Sequence, residues 1–496
     1  MTSAERLSLA ADFPAATSDK WRELVAGVLR RSGAEFDDPE AALATRTFDG
    51  FDLRPLYTAD DTAPDAGFPG MPPYVRGGTP DGRVLTGWDV RQRHADPDQA
   101  TTKRAILADL EHGGTSVWLV AGAAGLPVGA LADVLDEVYL DLAPVTLDAG
   151  ADALAAADAL LAVHADKGVA TGDVRGNLGA DPLGRRARTG EPADLDVAVE
   201  AARRARDYPA LRSVVVDGLP YHEAGASDGQ ELGCAVATGV AYLRALTGAG
   251  LDVDEAARQL ELRLAATADQ FATIAKLRAA RRLWSRVTEV CGATVRTAPL
   301  HAVTSSTMTT RRDPWVNMLR TTLACFAAGV GGADAVTVLP FDAAIGLPDA
   351  FARRIARNTQ SILLEESKVA GVIDPAGGSW YVERHTDELA RAAWAVFTEI
   401  ERAGGLVAAL DGGLVDERIA ATRTARTARF AAGEEAITGV TVFPNENEKP
   451  LTRPPAPPVP GGGLPRVRYA EPFESAMTSG MTSAMTSGTT SAQGEA

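Results

Sequence analysis

Between residues 83 and 385, short β-like runs alternate with helical patterns, and this alternation constrains the fold more than any other feature of the chain. The runs are 116–120, 140–147, 168–174, 212–218, 293–298 and 335–339. Patterns rich in Ala, Leu, Arg and Glu separate them at 151–166, 194–206, 229–247 and 254–290. Strands joined by crossover helices run parallel, because each helix returns the chain to the same end of the sheet. The runs show little polar alternation, as expected of strands covered on both faces. Six or more such units over about 300 residues predict an α/β fold, a (β/α)8 TIM barrel, rather than an open sheet.

The flanks read differently. Residues 1–45 are helical in pattern, and Thr17-Ser18-Asp19 is placed to cap a helix with Trp21, Leu24, Val25 and Leu29 on one face. Residues 46–82, rich in Pro, Gly and Asp, are too long for an ordinary connection, so 1–82 reads as a helical and extended segment that wraps another surface. The barrel with its closing helices is expected over 83–436. In 437–474 the run Pro454-Pro455-Ala456-Pro457-Pro458-Val459-Pro460, followed by Gly461-Gly462-Gly463, predicts a stiff spacer and a swivel. The Met-Thr-Ser repeats of 475–496 have no core-forming residues and predict a disordered tail. A spacer leading only to such a tail points to a missing C-terminal domain.

A net charge of -17 argues against nucleic acid and anionic membrane as partners, and no run of 18 apolar residues exists to span a bilayer. Cys234, Cys291 and Cys325 share no short spacing, so they read as thiols of a reducing cytoplasm, with no metal site and no disulfide framework.

In a parallel barrel, chemistry gathers where strands end and loops begin. The polar residues there are Asp148, Asp173 with Arg175 and Asn177, Asp217 with Tyr221 and His222, His301 with Thr304 to Thr307, and Asp342. Tyr221 and His222 beside Glu223 could polarise a carbonyl, and the hydroxyls of 304–307 could hold polar ligand atoms. Against that stands the plainer reading of loop histidines and a capped loop. Lys276, Arg278, Arg281, Arg282 and Arg286 on one helix, like Arg353, Arg354 and Arg357 on another, read as solvated faces.

Several longer motifs are more specific. Arg357-Asn358-Thr359-Gln360 lies in a helical pattern, and Glu365-Glu366 follows it. Asp374-Pro375-Ala376-Gly377-Gly378-Ser379-Trp380-Tyr381-Val382-Glu383 is a turn entering another helix. Earlier come Leu56-Tyr57, Pro69-Gly70, Arg76-Gly77 and Trp88-Asp89-Val90-Arg91-Gln92, and later Glu223-Ala224-Gly225-Ala226. Together they resemble the methylmalonyl-CoA mutase family over residues 1 to 474, and the early stretch is similar to its small (beta) subunits.

The resemblance implies a heterodimeric isomerase of propionate metabolism that interconverts (R)-methylmalonyl-CoA and succinyl-CoA by a radical shift. It implies a large (alpha) subunit as partner, carrying adenosylcobalamin and catalysis, with 1–82 as a subunit-contact segment. It also implies degenerate substrate positions. Where catalytic chains read Gly-Tyr-His-Met-Gln-Glu-Ala-Gly-Ala, alignment on Glu223-Ala224-Gly225-Ala226 puts Pro220 in place of the carbonyl-binding histidine and His222 in place of the glutamine. Arg83 stands where catalytic chains have a tyrosine five residues before the tryptophan. His301 keeps the histidine of His-Ser-Gln-Thr-Ser-Gly, but Val303 replaces its glutamine before Thr304. None of the six histidines lies in the cobalamin-ligating pattern Asp-x-His-x-x-Gly. Arg83, Tyr221, His222, His301 and Thr304 are therefore the remnants of a substrate site, with no catalytic, cobalamin-binding or metal residues expected. The alternatives are a catalytic barrel of a split acyl-CoA mutase with a separate cobalamin-binding chain, and an acyl-CoA-binding scaffold.

Overall fold

The computed structural model describes residues 13, 14 and 16–475. It divides into two compact units, residues 1–62 and 63–496. In the first, Thr17 accepts from the backbone of Lys20 and caps the helix Ser18–Arg31, of which only Ala26 is buried. Two short antiparallel strands, β1 (Thr45–Arg46) and β2 (Asp52–Leu53), follow.

The second unit is built on a closed barrel of eight parallel strands. They are β3 (Asp89–His94), β4 (Ser116–Val120), β5 (Val145–Asp148), β6 (Gly176–Ala180), β7 (Leu211–Asp217), β8 (Leu260–Ala266), β9 (Leu300–Thr304) and β10 (Ala335–Thr337). Neighbours follow chain order, and β10 closes on β3 by pairing Ala335 with Asp89. The α/β barrel read from the alternation is thus the observed fold.

Four strands differ from the sequence reading, and each has a local cause. β3 carries Arg91, Arg93 and His94 among few apolar residues, because its inward side meets polar partners. β8, Leu260-Glu261-Leu262-Arg263-Leu264-Ala265-Ala266, lies within the span read as one long helix. It is buried along its whole length, its leucines alternating with polar residues. β6 starts after the run 168–174, and two glycines hide it. Gly176 (φ 120°) and Gly179 (φ 75°) sit where an added Cβ would meet the carbonyl oxygens of Val145 and Leu147 at about 2 Å, so only glycine fits beside β5. β9 begins at Leu300, after a loop over 293–298.

The cationic face expected on the helix Gln270–Val290 is instead largely internal. Lys276 is fully buried between Asp228 and Glu231, each at 2.7 Å. Burial works against its charge, yet these two carboxylates hold its pKa above the usual lysine value. Arg278 places its terminal nitrogens on Asp374 (2.5 Å) and Glu383 (2.6 Å). Arg281 donates to the carbonyls of Tyr74, Val75, Gly331 and Gly332. Arg357, also expected to be solvated, is buried against Asp109 at 2.5 Å. Gln360 accepts from the Trp88 indole at 3.0 Å. These motif residues thus largely tie the outer helices to one another and to the loops beside them.

The Pro-rich segment is not a free-standing spacer. Pro454 O accepts from Leu347 N, while Gly463 and Leu464 donate to the carbonyls of Arg188 and Ala187. Val467 donates to Glu223 O and Tyr469 to Thr307 O. Arg453 pairs with buried Asp342 at 2.5 Å and with Asp349 at 2.8 Å. Residues 453–469 are therefore a strap laid over the loops that follow the strands. Prolines favour this role, because their extended backbone is already ordered before it docks. The Met-Thr-Ser tail lies outside the described residues, as does the chain before residue 13.

Candidate functional site

In a parallel strand every second side chain enters the barrel. Here Arg91 and Arg93 come from β3, Trp118 from β4, Asp217 from β7, Glu261 and Arg263 from β8, and His301 from β9. Arg91 meets Glu261 at 2.6 Å and Asp89 at 3.3 Å. Arg263 reaches Asp217 at 3.2 Å, donates to His301 Nδ1 at 3.3 Å and lies 4.1 Å over the Trp118 ring. The other nitrogen of His301 bonds the Thr337 hydroxyl at 2.8 Å, and its ring packs edge-on to Trp118. Arg91, Trp118, Asp217, Glu261, Arg263 and His301 are each less than 8% exposed. Large side chains, paired in charge, thus fill the axis.

Burial, then the charges of Arg91 and Arg263, hold the pKa of His301 well below the usual histidine value. Both ring nitrogens are engaged, Nδ1 accepting from Arg263 and Nε2 donating to Thr337.

Above this layer, on the side where the strands end, a cavity of about 480 Å³ opens, within the usual range of small-molecule pockets. Trp118, Leu219, Val303 and Leu339 form its apolar floor, and Pro457, Val459 and Pro460 of the strap roof it. Arg93, Arg185, Arg188, Arg353 and Arg466 bring positive charge to the wall, and Asp148, Asp152, Glu191 and Glu223 bring negative charge.

The candidate residues scatter across this frame. His222 and Thr304 line the cavity. His222 Nε2 bonds the Ser305 hydroxyl at 2.7 Å, and Thr304 accepts from Leu339 N at 2.8 Å, so both are tied into the wall. Tyr221 is wholly buried behind it, its hydroxyl 3.3 Å from Thr238 and its pKa raised well above normal by burial. His301 belongs to the axial layer. Arg83 is at the opposite end of the barrel, paired at 2.7 Å with Asp334, the residue just before β10. The structure therefore brings two of the five to the cavity and leaves three elsewhere.

Sequence reading missed Arg93, Arg188 and Arg263. Arg93 and Arg263 stand on the two strands that were not recognised. The two-residue spacing of Arg91 and Arg93 in β3 was the available signal.

Among the described residues no cluster of ligating side chains could hold a metal ion. The histidines do not fit a cobalamin ligand either. His94, His164, His301 and His385 are buried, His222 is bonded to Ser305, and His112 is bonded to Ala108 O. No helix among the described residues is long and apolar enough to cross a membrane.

Residues 120–458 match the family described as methylmalonyl-CoA mutase. A methylmalonyl-CoA mutase small subunit from Streptomyces virginiae is 63% identical over 473 residues, covering 94% of this chain and 77% of that protein. The small subunit from Propionibacterium freudenreichii subsp. shermanii is 41% identical over 481 residues, covering 95% and 75%. A protein named methylmalonyl-CoA mutase from Rhizobium meliloti is 32% identical over 474 residues, covering 88% and 65%.

Proposed function

Since the chain belongs to the methylmalonyl-CoA mutase family, among its small subunits, we propose that it is the non-catalytic member of the heterodimer. It pairs with a large subunit that carries adenosylcobalamin and performs the interconversion of (R)-methylmalonyl-CoA and succinyl-CoA. The observation that carries this reading is the filled axis. A coenzyme A chain threading the barrel would have to displace the layer of Arg91, Glu261, Arg263 and His301, whose charges are buried and matched. Removing one partner of such a layer leaves an uncompensated buried charge, so the layer stays closed.

The positions the resemblance assigns to substrate support the same reading. Pro220 has no proton to donate, and Arg83 is spent on Asp334. The same plug weighs against a catalytic barrel of a split mutase and against a scaffold that binds whole acyl-CoA. Cobalamin chemistry, when it occurs, is supplied by the partner, since each histidine of this chain is buried or hydrogen-bonded within it.

The subunit-contact role of residues 1–82 is part of the proposal. The helix Ser18–Arg31 exposes Leu24 and Val28 by more than half, a face suited to burial against another chain. Co-expression with a large subunit, followed by size exclusion, tests the assignment. A stable one-to-one complex that isomerises methylmalonyl-CoA is expected, with no turnover by this chain alone or mixed with a free cobalamin-binding protein. A chain that stays monomeric beside the large subunit would refute it.

A further inference from the structure

We propose that the cavity beneath the strap binds a small dicarboxylate as the free acid, one carboxylate on Arg93 and the other on Arg353. Three arginines of the wall are already spent. Arg188 holds Asp217 at 2.7 Å, Arg466 holds Glu223 at 3.0 Å, and Arg185 pairs with Glu191. Arg93 and Arg353 have no carboxylate partner among the described residues, although both line the cavity. Arg353 donates to Pro348 O at 2.8 Å. Arg93 is exposed into the cavity, its guanidinium 5.1 Å over the Trp118 ring.

A guanidinium stacked on an aromatic face is pre-oriented, and its planar fork suits a carboxylate in two-point contact. The two arginines act on one neighbourhood. His94, beside Arg93 in the chain, is held at about 3 by burial and then by the charges of Arg353 and Arg93, so it adds no charge of its own. Of the negative groups of the wall, Asp148 and Glu223 draw on Arg93, but each is shared with a second arginine, Arg263 and Arg466 respectively. Asp148 faces Arg263 at 3.7 Å, Asp96 accepts from Asp98 N at 2.9 Å, and Asp152 is at an exposed position.

In the same cavity, Val303, Leu339 and the roofing Val459 offer a surface for a short carbon chain. An inorganic anion would leave that surface unused. The free acid is specified, in place of the thioester, because the axis is filled; that clause rests on the reading given above.

Calorimetry on the full chain tests the proposal, with malonate, succinate and glutarate as probes and acetate and inorganic phosphate as controls. At least one dicarboxylate is expected to bind about tenfold or more tightly than acetate or phosphate, and to raise the melting temperature with concentration. R93Q and R353Q should each weaken that binding about tenfold, and R93K several-fold, with unchanged far-UV dichroism. R93K and R353Q keep the test decisive if R93Q does not fold. No binding by the wild type, acetate or phosphate equal to every dicarboxylate, or folded variants that bind as wild type would each overturn the proposal. The assay needs neither partner nor turnover, so such a failure leaves the assignment as small subunit standing.

Discussion

Two groups of arginines in this molecule differ in one respect, whether their charge is matched. Arg278, between the helices Gln270–Val290 and Trp380–Arg402, has one terminal nitrogen on Asp374 and the other on Glu383, at 2.5 and 2.6 Å. Arg93 and Arg353, at the barrel mouth, line the cavity with no carboxylate partner among the described residues. A buried guanidinium without a carboxylate costs several kcal/mol, so the matched group must be built for stability. The unmatched pair persists because the cavity leaves it accessible. Conserving charge and using charge are thus separated spatially, around the barrel and at its mouth.

This contrast can be broken in steps. Arg278→Met should have the largest effect. It would leave Asp374 with Arg76 alone at 3.1 Å and should cost about 3 kcal/mol of unfolding free energy, read from urea midpoints at unchanged slope. A cost below about 1 kcal/mol would mean that the matched group does not brace the layer.

Glu261→Leu comes next. Arg91 keeps Asp89 and the Ser116 hydroxyl, and a loss of about 2 kcal/mol is expected in the same assay. An unchanged midpoint would undo the argument that paired charge holds the axis shut.

A third test uses pH. Asp181 accepts from the Tyr242 hydroxyl at 2.6 Å, and its carboxyl is pushed up to about 7 by burial and then by the Asp217 charge. A carboxyl with a raised pKa keeps its proton in the folded state after the unfolded chain has lost it. Its contribution is therefore present in acid and is lost as pH rises from about 4 to about 7. Asp181→Asn should flatten this decline by at least about 1.4 kcal/mol, the equivalent of one pKa unit. Parallel stability–pH curves for variant and wild type would contradict it.

Arg466→Ala should have the smallest effect. Its side chain is 48% exposed, so solvent screens its pair with Glu223 and a cost within about 0.5 kcal/mol is expected. A loss above about 2 kcal/mol would make the strap a brace like Arg278 and erase the contrast between the two regions.

Local pattern made much of this legible. Runs such as Val117–Val120 of β4 and Val214–Val216 of β7 are unbroken apolar stretches, and helix caps such as Thr17 are short-range features, so alternation alone led to the barrel. Where the pattern failed, the physics was non-local. β8 reads as helix because its Leu and Arg residues favour one, and only closure of the barrel buries both its faces. β3 reads as a polar segment until Glu261 is brought to Arg91, 170 residues away in the chain.

The sequence by itself determined the fold class, the parallel order of the strands and, through its motifs, the kinship with the mutases, because periodicity and turn chemistry act over a few residues. Only the tertiary structure decided where the charges went. It put Lys276 and Arg278 inside, moved Arg83 to the far end, filled the axis and left Arg93 and Arg353 open under the strap. Burial and pairing depend on residues that meet only when the barrel closes.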